Sequence, residues 1–186
     1  MWSTDLIGGN IGMLIDNSNG AGSNREIFLT HATMDSNWRG LAVADDSYVS
    51  VTGCWAASSD GDNIWVSPDS DGAQLAINGG TIFNAGAEGG DPTKDNCNGI
   101  TVNAGSFQIS GTSIRDNKGR GVWVVADKVQ NYVVSGCRVF DNGQGMQLAG
   151  SGYVVTSNSF FGNSKPSDFG SKSGGAVVTS NSNQDS

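Results

Sequence analysis

The sequence predicts an all-β fold, a parallel β-solenoid made of short strands that repeat along the chain. Three observations lead to this prediction. Gly, Ser and Asn supply 70 of the 186 residues, a mixture that helices rarely tolerate. A strand motif recurs with a period of about 22 to 24 residues, and Asn follows several of the strands at a constant distance.

The composition also limits the partners of the chain. Hydrophobic residues make up 37% of the sequence, which is enough to build a core. The net charge of −8 and the ten scattered Lys and Arg residues argue against nucleic acid and anionic membranes as partners. No apolar run approaches the length of a membrane span, and the start of the chain lacks the pattern of an export signal.

The first line of the repeat reads Gly-apolar-x-apolar. Each copy has the alternation of a short strand with one inward and one outward face. The copies begin at intervals of 22 to 36 residues, so loops interrupt the basic period. They are Gly12-Met-Leu-Ile15, Gly40-Leu-Ala-Val43, Asn63-Ile-Trp-Val66, Gly99-Ile-Thr-Val102, Gly121-Val-Trp-Val124, Gly145-Met-Gln-Leu148 and Gly175-Ala-Val-Val178.

The second line of the repeat follows the first and ends in a turn with Asn. Examples are Ile109-Ser-Gly-Thr-Ser-Ile114 and Val134-Ser-Gly-Cys-Arg-Val139. Asn tolerates the left-handed backbone of a tight turn, and its amide can bond to the next Asn in a stack. The sequence therefore predicts a structural ladder made of Asn37, Asn117, Asn142 and Asn163.

Stacking of the coils buries the core, because one repeat is too small to do so alone. Cys54 and Cys137 take the same place in coils three steps apart, about 14 Å at the spacing of neighbouring strands, so no disulfide joins them. The three cysteines and the single histidine predict no zinc site. The residues expected to point inward are Ile100, Val102, Val122, Val124, Met146 and Leu148.

Residues 10 to 180 resemble a known family through INGGTIFNAG, ISGTSIRDNKGRGVWVVADKVQNYVVSGCRVFDNGQGMQL and YVVTSNSFFGN. These segments are similar to the right-handed parallel β-helix of the pectate-lyase-like superfamily, and above all to bacteriophage tailspikes and capsule depolymerases. The resemblance implies a right-handed single-stranded β-helix of six to seven coils. It also implies a homotrimer on a virion that binds or cuts a bacterial surface polysaccharide, in contact with other virion proteins.

The expected domain limits are a lead-in at 1–10, the β-helix at 11–180 and a polar tail at 181–186. Tailspikes usually carry an N-terminal particle-binding domain, which is not seen before the first strand here. An uncovered end strand invites pairing with other chains. We therefore expect a part of a longer polypeptide, a processed piece, or a subunit whose ends are covered by partners.

An outward column in the first line of the repeat is the candidate substrate-binding surface. The alternation of each strand points Trp65, Thr101, Trp123 and Gln147 away from the core, together with Leu14 and Ala42. The two tryptophans lie about 10 Å apart, near the repeat of a disaccharide, and indoles stack on sugars. The alternative is that they bury themselves against a neighbouring subunit.

Asp116 and Asp141 are the candidate catalytic pair. They take equivalent positions in the segments IRDN and VFDN of consecutive coils. Glycoside hydrolysis needs two carboxyl groups about 5 Å apart for retention of configuration, close to one strand step. The alternative is that each carboxylate only caps its turn beside the Asn ladder.

A second group of acidic residues follows the strands of the first line. Carboxylates in loops can bind Ca²⁺ or serve as acid and base in a lyase, but most turn acids are simply solvated. No cofactor is required, and Ca²⁺ stays open. The residues are Asp45, Asp46, Asp69, Asp71 and Asp127.

Three functions follow from these patterns. The first is a phage tailspike-like protein that binds and depolymerises a bacterial glycan. The second is a non-catalytic receptor-binding or structural virion component. The third is a secreted cellular lyase or hydrolase, against which the missing export signal counts.

Overall fold

The computed structural model describes residues 4–16, 26–87, 89–91, 96–170 and 174–183, and in these ranges the chain forms strands and turns without a helix. Three parallel sheets run along the molecule, and each turn of the chain adds one strand to each of them. The shortest sheet has six strands, which gives about six complete turns. The predicted parallel β-helix is confirmed. Within the described ranges, no helix is long and apolar enough to cross a membrane.

We call the three sheets A, B and C. Each turn of the chain adds a strand first to sheet B, then to sheet C and then to sheet A. Sheet B contains β1 (Asp5–Ile7), β4 (Thr33–Asp35), β7 (Trp55–Ala57), β10 (Thr81–Phe83), β13 (Ser113–Arg115), β16 (Arg138–Phe140), β19 (Ser159–Phe161) and β21 (Ser182–Asn183). Sheet C contains β2 (Ile11–Ile15), β5 (Arg39–Val43), β8 (Ile64–Val66), β11 (Ile100–Val102), β14 (Arg120–Val124) and β17 (Gln144–Gln147). Sheet A contains β3 (Glu26–Thr30), β6 (Tyr48–Thr52), β9 (Gln74–Asn78), β12 (Ser106–Ser110), β15 (Val133–Ser135), β18 (Val154–Thr156) and β20 (Val177–Thr179).

The core is a set of columns in which equivalent residues of successive coils stack. Ile64, Ile100, Val122 and Met146 form one such column through the register of sheet C, and all are fully buried. All six residues predicted to point inward are at most 3% exposed. Aliphatic side chains of similar size at every level fill the interior without gaps, as parallel strands buried on their inner face require.

The turn from sheet A to sheet B is two residues long and starts with a left-handed residue. Gly53 and Gly136 take φ of 59° and 63° there. The residues that follow, Cys54 and Cys137, are buried, and neither forms a disulfide. The register of sheet B separates them by three strand steps, which confirms their predicted place in one column.

The turn from sheet B to sheet C carries the Asn ladder. The side-chain amide of Asn117 donates to Asn142 Oδ1 at 2.8 Å, and that of Asn142 donates to Asn163 Oδ1 at 2.9 Å. Asn37 makes the same kind of turn bond, from its amide to Leu6 O and Asp35 O. The predicted ladder is confirmed for Asn117, Asn142 and Asn163, whereas the Asn37 amide bonds to backbone carbonyls. Asn63 extends the ladder by donating to Asn117 Oδ1 at 3.2 Å.

Two features differ from the sequence-based expectation. The segment Gly175-Ala-Val-Val178 was expected to repeat the sheet C strands, but Val177–Thr179 pairs with Val154–Thr156 in sheet A. The physical reason is that residues 167–168 already take the place beside the last sheet C strand, where Ser167 Oγ accepts the N–H of Met146 and Asp168 forms an isolated bridge with Gln147. Strands also lie within the expected lead-in and tail, at Asp5–Ile7 and Ser182–Asn183, while residues 1–3 and 184–186 fall outside the described residues.

Candidate functional site

The outer face of sheet C carries the predicted column in register. Trp65 pairs with Thr101 in the next strand, Thr101 pairs with Trp123, and Trp123 pairs with Gln147. Trp65, Trp123 and Gln147 are half-buried, whereas Thr101 is only 3% exposed. Thr101 is thus the floor between two larger side chains, and its part in ligand binding stays a prediction.

Each tryptophan of this face is covered on one side by an arginine. The guanidinium carbon of Arg39 lies 4.0 Å from the ring centroid of Trp65, and that of Arg120 lies 4.2 Å from the ring centroid of Trp123. Arg120 Nε also donates to Gln147 Oε1. These cation–π contacts fix the orientation of both indoles, because the positive charge is attracted to the ring face.

A buried carboxylate lies beneath the tryptophans. Asp62 is 2% exposed, and its Oδ1 accepts bonds from the backbone N–H and the side-chain amide of Asn98, each at 2.9 Å. Burial raises the pKa of Asp62, while the bonds from Asn98, the charge of Arg39 and the hydroxyl of Thr101 act in the opposite direction. The side-chain oxygen of Asn98 accepts the backbone N–H of Arg120 at 2.8 Å, so the network joins three successive coils.

Arg39 shares this environment. Its pKa is lowered by burial, and the charge of Asp62 works against that shift. The Nε atom of Arg39 is buried without a hydrogen-bond partner in the part of the chain that the structure describes. A buried N–H without a hydrogen-bond partner lowers the stability of the folded chain. The ring of Trp65 and the charge of Asp62 are the favourable contacts of this guanidinium.

A basic cleft opens where the turn from sheet B enters sheet C. It has a volume of about 470 Å³ and shares Arg120 with the tryptophan column. The two lysines that line it are exposed. The lining residues are Lys118, Gly119, Arg120, Gly143, Gln144, Ser164 and Lys165.

Asp116 and Asp141 lie elsewhere, at the end of sheet B. The structure brings the two together in adjacent coils, where their backbone N–H groups donate to Phe140 O and Phe161 O. Both are exposed and left-handed, with φ of 55°, a conformation that Asp tolerates better than most residues. Asp116 also forms an ion pair with Arg115. The pair is therefore separate from the tryptophan column, and its catalytic role stays a prediction.

Three of the acidic loop residues bond to backbone N–H groups or to a lysine. Asp45 accepts the N–H of Ser47, and Asp46 accepts the N–H of Gly72 at 2.8 Å. Asp71 forms a salt bridge of 2.7 Å with Lys128. No group of three or more His, Cys, Asp or Glu gathers within the described ranges, and the Ca²⁺ site stays a prediction.

Cys97 and Cys137 are poorly suited to nucleophilic chemistry at neutral pH. Burial, and after it the charge of Asp62, raises the pKa of the Cys97 thiol to about 11. Burial likewise raises the pKa of Cys137. The thiolate is the reactive form, so both side chains act as small core residues.

Sheet B carries an aromatic surface that the sequence patterns did not single out. The rings of Trp55 and Phe83 meet edge to face at 4.6 Å, and those of Phe140 and Phe161 stack at 4.6 Å. Arg115 covers Phe83 at 4.3 Å. The sequence did contain an indication of this surface. In four coils, the residue that follows the last inward position of the second line is aromatic or Arg: Phe83, Arg115, Phe140 and Phe161.

Sheet A carries a smaller depression of about 220 Å³ with uncharged lining. It includes Tyr48, Gln74, Ser106, Gln108 and Asn131. Tyr48 lies at its edge and contacts Phe28, with ring centroids 6.1 Å apart.

The comparisons with known proteins give one match. The family model described as the right-handed beta helix region matches residues 8–134, about two thirds of the chain. No curated protein and no solved structure matches significantly. The matched residues include most of sheet C, with Trp65, Thr101 and Trp123.

Proposed function

The chain belongs to the family of right-handed β-helix regions, and on that premise we propose that it binds a polysaccharide along the outer face of sheet C. The observation that carries the proposal is the column of Trp65, Thr101, Trp123 and Gln147 in strict register. A rigid solenoid holds these side chains at fixed intervals along its axis, which suits a ligand that is itself a linear repeat.

The spacing of the column matches a glycan. Trp65 and Trp123 are two strand steps apart, about 10 Å, which is comparable with a disaccharide along an extended chain. The indoles supply apolar faces for sugar rings, and the amide of Gln147 supplies groups that bond to hydroxyls. Arg39 and Arg120 hold the indoles in place, so little rotamer entropy is lost when a sugar binds.

The test measures the affinity of the purified chain for immobilised bacterial polysaccharides, for example xanthan, gellan, alginate and dextran. We expect Trp65→Ala and Trp123→Ala to weaken binding about tenfold each, equal to about 1.4 kcal/mol. Tyr48→Ala is the matched control, because Tyr48 is an aromatic residue on another sheet. Thermal unfolding checks that each variant folds. Unchanged affinity in the double tryptophan variant, or a loss in Tyr48→Ala alone, would contradict the proposal.

The resemblance to tailspikes extends the proposal to a virion appendage that meets a bacterial surface polysaccharide. The proposal also includes cleavage by Asp116 and Asp141, because their equivalent positions in adjacent coils suit a pair of carboxyl groups. Asp116→Asn with Asp141→Asn should abolish shortening of a polymer that the wild-type chain cuts, as followed by size-exclusion chromatography. Retained cleavage in the double variant would remove these residues from the mechanism, and no shortening by the wild type favours a purely binding module.

A further inference from the structure

We propose that the basic cleft of Lys118, Arg120 and Lys165 binds an anionic oxygen group, a carboxylate or a sulfate, carried by a sugar beside Trp123. The inference rests on the proposed function for the rest of the polymer, and it assigns the ligand to the acidic polysaccharides. It concerns a site beside the tryptophan column rather than the column itself.

The concentration of positive charge is the first argument. The chain has ten Lys and Arg residues and a net charge of −8, yet three of these cations line one cleft. They come from two coils, since Lys118 and Arg120 lie at or just before the start of β14 and Lys165 follows β19, two strand steps further along the solenoid. A cleft lined by one sign of charge raises the local concentration of a ligand of opposite charge.

In the part of the chain that the structure describes, the two lysines are also without a salt bridge. Lys128, by contrast, is bridged to Asp71, and Arg115 to Asp116. Like charges held close together repel one another, and an anionic ligand relieves that repulsion. Both lysines are exposed and are therefore accessible to a ligand that enters from solvent.

Two glycines line the cleft at points where neighbouring coils pack closely together. A Cβ on Gly143 would lie 2.3 Å from Lys118 O, and a Cβ on Gly119 would lie 2.5 Å from Asn98 Oδ1. Any side chain at either position would therefore collide with the neighbouring coil. The exposed hydroxyl of Ser164 adds a neutral donor at the rim.

Arg120 connects the cleft to the tryptophan column. Its guanidinium carbon lies 4.2 Å from the ring centroid of Trp123, so an anion held in the cleft lies beside the sugar that the indole would stack on. Guanidinium suits planar, bidentate recognition of a carboxylate, and lysines act as point charges on either anion. The geometry thus selects a sugar whose acidic group is adjacent to its stacking face.

The experiment compares dextran sulfate with dextran, because the two share a backbone and differ in charge, and adds polygalacturonate to distinguish carboxylate from sulfate. Binding is measured at 50 mM and 300 mM NaCl. The variant is Lys118→Gln with Lys165→Gln, which leaves Arg120 on Trp123. Lys128→Gln and wild type are the controls, since Lys128 is an exposed lysine on a different turn.

We expect wild type to prefer at least one acidic polymer over dextran by tenfold or more at 50 mM NaCl, and the preference to shrink at 300 mM. The double lysine variant should lose most of this preference, while Lys128→Gln keeps it. Equal binding of all three polymers would overturn the inference, and so would a loss of preference in Lys128→Gln as large as in the double lysine variant. Neither result bears on the proposed function, which the tryptophan variants test separately.

A titration with galacturonic acid and with inorganic sulfate, followed by NMR of backbone amides, tests the cleft without a polymer. We expect shifts at Gly119 and Gly143 at millimolar concentration with at least one of the two, and their loss in the double lysine variant. Absence of shifts with both anions would overturn the inference. Shifts at the cleft without any polymer binding would overturn the proposed function and keep the anion site.

Discussion

At the level of single residues, Asp62 shows how the outer face of sheet C is organised. A carboxylate that is 2% exposed would be costly if it were alone, but it accepts two bonds from Asn98 and faces the charge of Arg39. Through Asn98 it also fixes the backbone N–H of Arg120, which covers Trp123. One buried acid therefore connects both arginine–tryptophan pairs.

This arrangement predicts a dependence of stability on pH. Because burial raises the pKa of Asp62, the native chain binds more protons than the unfolded chain between the ordinary pKa and the raised one. The free energy of unfolding contributed by Asp62 therefore falls as pH rises through that window. Relative to Asp62→Asn, the wild type should lose stability as pH increases, as measured by urea unfolding from pH 3.5 to 7.

Asp69→Asn is the control for the loss of one charge, because Asp69 is exposed on a turn. A constant difference between wild type and Asp62→Asn over the whole range would show that Asp62 keeps its ordinary pKa. Asp62 itself had no signature in the sequence, because its partners Asn98 and Arg39 lie 36 and 23 residues away and meet it only in the stack of coils.

At the level of the strands, the glycine that starts five of the six sheet C segments has a packing reason. A Cβ on Gly99 would lie 2.7 Å from Gly121 O, and one on Gly121 would lie 2.6 Å from Gly145 O. At these glycines the backbones of neighbouring coils lie too close together to leave room for a side chain that points at the next carbonyl oxygen. The Gly-apolar-x-apolar pattern therefore indicated the sheet C strands and their register correctly in every coil but the last.

Gly121→Ala should destabilise the chain by about 1 to 3 kcal/mol, because the added methyl group meets Gly145 O and Val139 Cγ1 and the backbone has to shift. The expected result is a lower midpoint in urea unfolding. Ser135→Ala, a half-buried position on the outer face of sheet A, should change the midpoint little. A midpoint for Gly121→Ala equal to that of the control would contradict the close approach of the coils.

At the level of the whole molecule, large apolar side chains remain exposed on more than one sheet. Phe28 is 55% exposed on sheet A, and Trp55 is 42% exposed on sheet B. Contiguous exposed aromatic side chains commonly mark contacts between proteins. The homotrimer that the tailspike resemblance implies would cover such surfaces, and it stays a prediction.

Light scattering during size-exclusion chromatography measures this directly. We expect a stable species of three times 19.2 kDa, because burial of the aromatic surfaces favours association of identical chains. A clean monomer at micromolar concentration would contradict the prediction. It would leave the outer faces of all three sheets open to solvent and to ligand.

The repeat alone was enough to predict the solenoid, its core and the register of every coil but the last. Parallel coils place each residue opposite its equivalent in the next coil, so the columns of Val122, Trp123 and Asn142 could be read from the repeat alone. The strand alternation then determined which of them point inward. The last coil was assigned to the wrong sheet, since Gly175-Ala-Val-Val178 fits both lines of the repeat and only strand pairing distinguishes them.

The side-chain contacts on the outer faces, by contrast, could be identified only in the folded chain. The arginine–tryptophan contacts, the network of Asp62 and the cleft of Lys118 and Lys165 join residues that the repeat does not place opposite each other. Such diagonal contacts depend on side-chain rotamers, on the turn between sheets B and C and on the loops that interrupt the period. Backbone hydrogen bonds enforce the register, whereas nothing in the repeat constrains the outward rotamers, and for that reason the fold was predictable and the basic cleft was not.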